Sequence, residues 1–430
     1  MPYNIIIGRN KSDKEKFKDR GLISLGKSYV KMGSYTSLSN QILMDIVKSH
    51  VILIAGKRGS GKSYSIAVIA EEISNLPKEV GKNIAPLIFD TMGIFWTMKY
   101  KNERERELLD KWELEPKELP ANIWVPLGYF EEFEKKGIPV TNKFALAVSE
   151  LNIEDWLSIF NLTMIEPISV LIQKIITNLK EKESFDLEDI IQEINKQETT
   201  EELKQSATAL FVAAKSWKIF ATNQDTSTKI NQLIQGGTTS VLDLSMYSST
   251  SGFNVRALVI GLVSKKLFNQ RIMARKKEEI ENVNRGTPSE KKEMPLVWLF
   301  IDEAHEFLPA DKQTPASNSL IQILREGRQP GLSLVLATQQ PGVIHRDVMT
   351  QSDIVLSHRL TNKKDIEALN EIMQTYLLES LTQSMNNLPD SKGSAIILDD
   401  NSERLYPIKV RPRFTWHGGE APQAIKEDEG

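Results

Sequence analysis

Val51-Ile52-Leu53-Ile54-Ala55-Gly56-Lys57-Arg58-Gly59-Ser60-Gly61-Lys62-Ser63 decides the fold. The first five residues are an unbroken apolar, β-branched run. A strand apolar at every position needs both faces covered, which is the situation of a parallel sheet between helices. A glycine-rich turn follows, and then a helical pattern from Ser63 to Ser74. The turn, Gly56 to Ser63, fits G-x-x-x-x-G-K-S/T in full, and it has the strand before it and the helix after it that this phosphate-binding loop requires. The physics is direct. Gly56, Gly59 and Gly61 let the backbone N–H groups of Lys57, Arg58 and Ser60 curl around phosphate oxygens. The helix N-terminus adds partial positive charge. Lys62 supplies a full charge for the β- and γ-phosphates of ATP, and Ser63 a hydroxyl ligand for Mg²⁺.

The second signal is Leu296-Val297-Trp298-Leu299-Phe300-Ile301-Asp302-Glu303, an apolar strand ending in two adjacent carboxylates. That end is the edge where ligands sit in open α/β sheets. Asp302 is placed to hold Mg²⁺, directly or through its water, and Glu303 to act as general base on the attacking water. An adjacent glutamate points to ATP hydrolysis coupled to motion and not to small-molecule phosphoryl transfer. The next strand, Leu332–Ala337, leads into Thr338-Gln339-Gln340-Pro341, where Gln339 is the candidate sensor of the γ-phosphate. Between the two lies Leu324-Arg325-Glu326-Gly327-Arg328-Gln329-Pro330-Gly331. Arg325 and Arg328 are candidate arginine fingers for a neighbouring subunit's nucleotide, neutralising charge that develops on the phosphoryl group. The alternative is surface salt bridging. Arg359 is a further nucleotide-binding candidate. Asp90, at the end of the strand Ala85–Asp90, is a weaker one, for Mg²⁺ water or nucleotide. His305 completes the string Asp-Glu-Ala-His, but a helicase of that type needs a second lobe with its own motifs, so a packed or hydrogen-bonded histidine is the expectation. Phe95, Trp96, Lys99 and Tyr100 interleave aromatic and basic residues as a nucleic-acid face does, and core aromatics are the favoured alternative.

Around these motifs the chain divides into five parts. Residues 1–48 hold short strand-like pieces (Asn4–Ile7, Leu22–Leu25, Tyr29–Met32) and read as an N-terminal arm or small β subdomain. Residues 49–140 form the first part of an α/β ATPase core, with another strand at Trp124–Leu127 and a charged solvated helix over 99–119. In 141–235 apolar residues recur at helical spacing and glycine is absent from Ile138 to Gln235, which predicts an all-helical insertion. Strand patterns resume in 236–411 (Thr239–Leu244, Leu296–Ile301, Leu332–Ala337, Ile354–Leu356, Ser394–Leu398, Leu405–Val410). A long helix from Asn254 to about Glu281 and an exposed loop, Asn282–Pro295, fall between the first two. The tail, 412–430, is polar, acidic at its end and expected to be mobile.

Composition narrows the classes. The chain has 430 residues, 40% hydrophobic and 26% charged, which excludes wholesale disorder. It has no cysteine, so disulfide scaffolds, thiolate zinc sites and cysteine nucleophiles are excluded and a reducing, cytoplasmic setting fits. Net charge is −3, so any nucleic-acid surface must be local. No apolar run reaches about 18 residues, and no membrane span is expected.

Taken together and in order, the phosphate loop, Phe300-Ile301-Asp302-Glu303-Ala304-His305-Glu306-Phe307-Leu308, the Arg325–Arg328 segment, Ala337-Thr338-Gln339-Gln340-Pro341 and Leu356-Ser357-His358-Arg359-Leu360 resemble the HerA/FtsK superfamily of ring-forming ATPases, closest to HerA-like members. The likeness covers His50 to Asp90 and about Thr239 to Val410. It implies a RecA-like P-loop NTPase core with a mainly parallel sheet plus the helical insertion, a homo-hexameric ring, and ATP hydrolysis with Mg²⁺ at subunit interfaces. It also implies translocation on double-stranded DNA beside a partner nuclease or an antiviral effector. Lys62 and Ser63 take the Walker A roles, Asp302 and Glu303 the Walker B roles, Gln339 the sensor role and Arg328 the interface role, with Arg325 second. The segment Arg411 to Gly419 is similar to family C-termini that reach a neighbouring protomer. Full-length archaeal members carry an N-terminal β-barrel that docks the nuclease, and with residues 1–48 ahead of the phosphate-loop strand a complete one is not expected here. A ring that uses ATP only to assemble an effector, without processive translocation, is the alternative. A protein or conjugative-DNA pump would want a membrane anchor.

Overall fold

A computed structural model of the chain describes residues 3–32, 35–182, 184–222, 224–248, 252–286, 293–373, 384–385 and 387–419. Its centre is a 13-stranded sheet. The strands are β1 (Ile5–Ile7), β2 (Leu22–Met32), β3 (Tyr35–Asp45), β4 (Val51–Ala55), β5 (Ile84–Asp90), β6 (Ala121–Pro126) and β7 (Asn142–Phe144), followed by β8 (Thr239–Asp243), β9 (Leu296–Ile301), β10 (Leu332–Thr338), β11 (Ile354–His358), β12 (Ser394–Asp399) and β13 (Arg404–Val410). Their order across the sheet is β1-β3-β2-β13-β12-β11-β4-β10-β9-β5-β8-β6-β7. From β11 through β7 every pairing is parallel, and β12, β13 and β2 attach antiparallel.

The apolar runs explain the parallel core. In β4, Leu53 and Ala55 face one hydrophobic cluster while Ile52 and Ile54 face the other. The phosphate-loop helix, Lys62–Ser74, covers the second face with Ile66, Ile69 and Ile73. The long helix Val255–Arg285 and the helices between Ile153 and Leu233 cover the first.

Residues 1–48 lead into the main sheet, because β2 bonds β13 and carries the same sheet onward. Four expectations change. The pieces Leu22–Leu25 and Tyr29–Met32 are one strand. Its register shifts absorb the glycine that seemed to break it. The segment 141–235 opens on β7 before its helices begin. Within 99–119 the helix is confined to Arg106–Lys111, because Asn102 is held by the C-terminal segment: its N–H donates to the Phe414 carbonyl (3.1 Å) and its side chain to the Arg413 carbonyl (2.9 Å). The long helix runs on to Arg285, the remainder of the expected loop lies partly outside the described residues, and the acidic end of the tail lies wholly outside them.

Candidate active site

Parallel strands put their C-terminal ends on one edge, and that edge gathers the chemistry. β10 lies between β4 and β9, so Thr338 and Gln339 emerge between the phosphate loop and the acidic pair. The loop takes the backbone shape that its glycines allow: Gly59 has φ 74° and Gly61 φ 111°. Gly61 caps the helix, and Lys62 begins it.

Ser63 Oγ donates a hydrogen bond to Asp302 Oδ2, joining the loop to the acidic strand across 239 residues. Lys62 is buried, its Nζ 3.4 Å from the Lys57 carbonyl oxygen, and its charge acts on Asp302, Glu303, His305 and His358. Burial raises the pKa of Asp302, against the bond from Ser63. Glu303 stands in the left-handed region, φ 51°, with its N–H donating to Asp302 Oδ1 at 2.9 Å. Its Oε2 is buried with no hydrogen-bond partner among the described residues. Burial, and then the Asp302 charge, push its pKa up to about 7. His305 Nδ1 lies 3.5 Å from that oxygen and 3.2 Å from Thr338 Oγ1, and burial keeps the ring neutral by lowering its pKa. It is a packed histidine beside the acidic pair.

An open hollow of about 450 Å³ adjoins the loop, lined among others by Lys57, Arg58, Gln339, Asn362 and Lys364. The Arg359 carbonyl accepts from the Lys57 N–H (3.1 Å), while its guanidinium pairs with Asp390 (2.6 Å). The Arg359 backbone, not its side chain, therefore touches the loop. Arg325, in the last turn of the helix Ser317–Glu326, pairs with Asp347 (2.6 Å), and Arg328 lies exposed in the turn before β10. The length of β10, about 20 Å at ordinary strand rise, separates that turn from Gln339. One chain does not bring either arginine to its own phosphate loop. The Asp90 carboxylate accepts from the N–H groups of Met92 (3.1 Å), Gly93 (2.7 Å) and Phe95 (2.8 Å), which holds the turn after β5. Phe95 and Met98 are core residues, and Trp96 packs edge-on against Tyr100.

Two supports escaped the sequence reading. His358, at the end of β11, is fully buried beneath the loop. Its Nδ1–H donates to the Ser394 carbonyl (3.1 Å), and its Nε2 accepts from Ser65 on the phosphate-loop helix (2.9 Å). Burial lowers its pKa to about 4, so it stays neutral. A side chain at Gly56 would sit 2.8 Å from the His358 Cβ, which is why the loop needs glycine there. The other support is Glu71, fully buried on the same helix, whose carboxylate collects Arg411 (3.0 Å), Arg413 (3.1 Å) and the Thr415 N–H (3.2 Å). The C-terminal segment therefore clamps its own protomer's helix through residue 415. No local pattern in the sequence pairs residue 71 with residues 411 and 413.

The residues fit the groups the loop implies. Mg²⁺ binds through one or two protein oxygens plus phosphates and water, and Ser63 Oγ and Asp302 Oδ2 are two such oxygens side by side. Ser60 Oγ, buried in the loop without a hydrogen-bond partner among the described residues, is a polar atom that a phosphate environment would suit.

A doubly covered parallel sheet, with a phosphate loop and an acidic pair on the two strands that flank a third, is a RecA-like P-loop NTPase core. The family model described as "Helicase HerA, central domain" matches residues 30–266, more than half of the chain, and the chain belongs to that family. Curated relatives include the DNA double-strand break repair helicase HerA of Pyrococcus furiosus, 28% identical over 192 residues (40% of this chain, 33% of the relative). The protein of the same name from Saccharolobus solfataricus is 23% identical over 371 residues (85% of this chain, 64% of the relative). The chain thus spans between a third and two thirds of the length of these relatives. Among solved structures, VirB4 of Thermoanaerobacter pseudethanolicus superposes with a TM-score of 0.55 at 15% identity (92% of this chain, 98% of that one). The bacterial conjugative coupling protein TrwB does so with 0.52 at 12% identity (86% and 87%). These two share the fold. Among the described residues no helix is long and apolar enough to cross a membrane.

Proposed function

We propose that the chain hydrolyses ATP with Mg²⁺ and uses the cycle to drive double-stranded DNA through a homo-hexameric ring, in company with a nuclease or an antiviral effector. The observation that carries the reading is the buried, unbonded Glu303 Oε2 set beside Asp302, which is itself bonded to the phosphate-loop serine. The names of the curated relatives support the DNA half.

Lys62 and the loop N–H groups hold the phosphates. Ser63 and Asp302 would hold Mg²⁺, which would supply positive charge against that developing on the phosphoryl group. Gln339, emerging between the two motifs, orients the attacking water, and Glu303 takes its proton. A base raised toward neutrality by burial has proton affinity to do so and is still ionised above about pH 7. Arg328, remote from its own loop, reaches the nucleotide of the next protomer, with Arg325 beside it.

The test combines turnover with movement. The wild-type chain should hydrolyse ATP, faster with duplex DNA or its effector, and displace the third strand of a triplex on linear duplex. Glu303→Gln should retain ATP and lose turnover by about 10²- to 10⁴-fold, the usual worth of a general base. A ring that hydrolyses ATP and never displaces the third strand would replace translocation with the scaffold reading. A chain that stays monomeric with nucleotide and leaves ATP intact beside its natural companions would end both.

A further inference from the structure

The contacts of Ser63 fix the direction in which a bound nucleotide must run. Ser63 Oγ turns to Asp302 on the β9 side of β4, so the metal-facing, terminal phosphates lie toward β10 and β9. A nucleotide laid across the start of the phosphate-loop helix then sends its nucleoside the other way, over β11, β12 and β13. Because β12 and β13 are antiparallel to each other, the start of β12 and the end of β13 both reach this same edge.

Two segments stand there as a wall. The turn Asp390–Gly393 precedes β12, and a Cβ on Gly61 would lie only 3.8 Å from the Gly393 nitrogen. The segment after β13 crosses the first turn of the helix. Its Arg413 N–H donates to the hydroxyl of Tyr64, the residue after Ser63, at 2.7 Å. His417 sets its ring edge-on to Tyr64, centroids 5.1 Å apart. Arg413 donates to His417 Nδ1 (3.3 Å), which leaves the proton on Nε2. The Lys392 ammonium is exposed at the rim, close enough for its charge to act on His417. The aromatic ring is half-buried and held on one side by Tyr64 and Arg413.

We propose that this wall is the nucleoside end of the site, with His417 presenting its ring to the base and Lys392 its ammonium to the sugar and first phosphate. The inference rests on the nucleotide-site reading above and assigns the half of the ligand that the phosphate loop does not hold. Base–aromatic contact tolerates any base while adding affinity, so the wall strengthens nucleoside phosphates over bare polyphosphate.

The experiment compares ADP with inorganic tripolyphosphate, each with Mg²⁺, by titration calorimetry on the full chain. His417→Ala should weaken ADP about tenfold, the size of a lost base–aromatic contact, and leave tripolyphosphate unchanged. His417→Phe, which keeps an aromatic ring, should recover most of the loss. Lys392→Ala, at an exposed position where folding is not at stake, should weaken ADP by a smaller factor. Unchanged ADP affinity in both alanine variants would overturn the proposal, as would an equal loss for ADP and tripolyphosphate in His417→Ala, which would mean a distorted phosphate loop. A wild-type chain that binds neither ligand would instead overturn the nucleotide site itself.

Discussion

Glu303 is half-buried and His50 fully buried, and burial by itself moves their pKa values in opposite directions. Glu303 has Asp302 beside it and an unbonded oxygen, so its pKa rises to about 7. As the base it is active when ionised, and kcat/KM for ATP should fall about tenfold per unit as pH drops below about 7. A pH–rate profile checks this, and a flat acid limb would remove Glu303 from the role. His50 sits at the other end of β4, with Nδ1 2.6 Å from Asp353 and Nε2 3.4 Å from Asp45, which Arg9 also holds. Burial alone would lower its pKa. The two carboxylates, Asp353 first, outweigh burial and push it up to about 9, above the ordinary value of 6.5. The charged pairings therefore stabilise the fold fully below about pH 6.5 and lose that contribution as pH rises through about 9. Thermal unfolding should show the melting temperature falling between pH 7 and 10, and the fall should be smaller in His50→Gln. The two motifs around Lys62 and Glu303 were legible because each is contiguous in sequence and follows an apolar strand. His50 and His358 were not legible, since Asp353 lies 303 residues from His50 and Ser65 lies 293 from His358.

The phosphate-loop helix and the C-terminal segment form a single element in energetic terms. Glu71, Arg411 and Arg413 are all at most 1% exposed, and the carboxylate is satisfied from both arginines and from the Phe414 and Thr415 N–H groups. Removing one member of such a network strands the others without water. Glu71→Ala should therefore cost about 3–5 kcal/mol of stability, seen in denaturant unfolding. It should also weaken nucleotide binding, because Tyr64 loses its anchor to Arg413. Glu71→Gln, which can still accept hydrogen bonds, should sit between the two. The central strands of the parallel core could be read from sequence to within a residue or two, because full burial leaves mostly apolar runs of strand length, whereas β6 starts three residues before its reading and the short edge strand β7 was missed. The hairpin of β2 and β3 could not be read so, since half-exposed strands with a bulge look like fragments.

Neither candidate arginine lies at the edge that carries the phosphate loop. Arg325 and Arg328 lie ahead of β10, and the strand puts about 20 Å between their turn and Gln339. If they serve catalysis they do so for a neighbour. Arg328→Ala mixed with wild-type chain should then depress ATPase activity more steeply than the mutant fraction, because each altered subunit silences a wild-type site. A decline in simple proportion, followed in a mixing titration, would return Arg328 to a surface role. The expectation of a ring rests only on the ordered set of motifs that the family shares.

The hydrogen bond from Ser63 to Asp302 ties together strands that are neighbours of β10 yet stand far apart along the chain. Pairings between such distant segments are slow to form, since the loop between them must be closed first. During refolding, helices and local hairpins can appear while the seat for a triphosphate does not yet exist. Ligand capture would then lag behind recovery of helical signal, and a nucleotide added at the start would slow unravelling without hastening assembly.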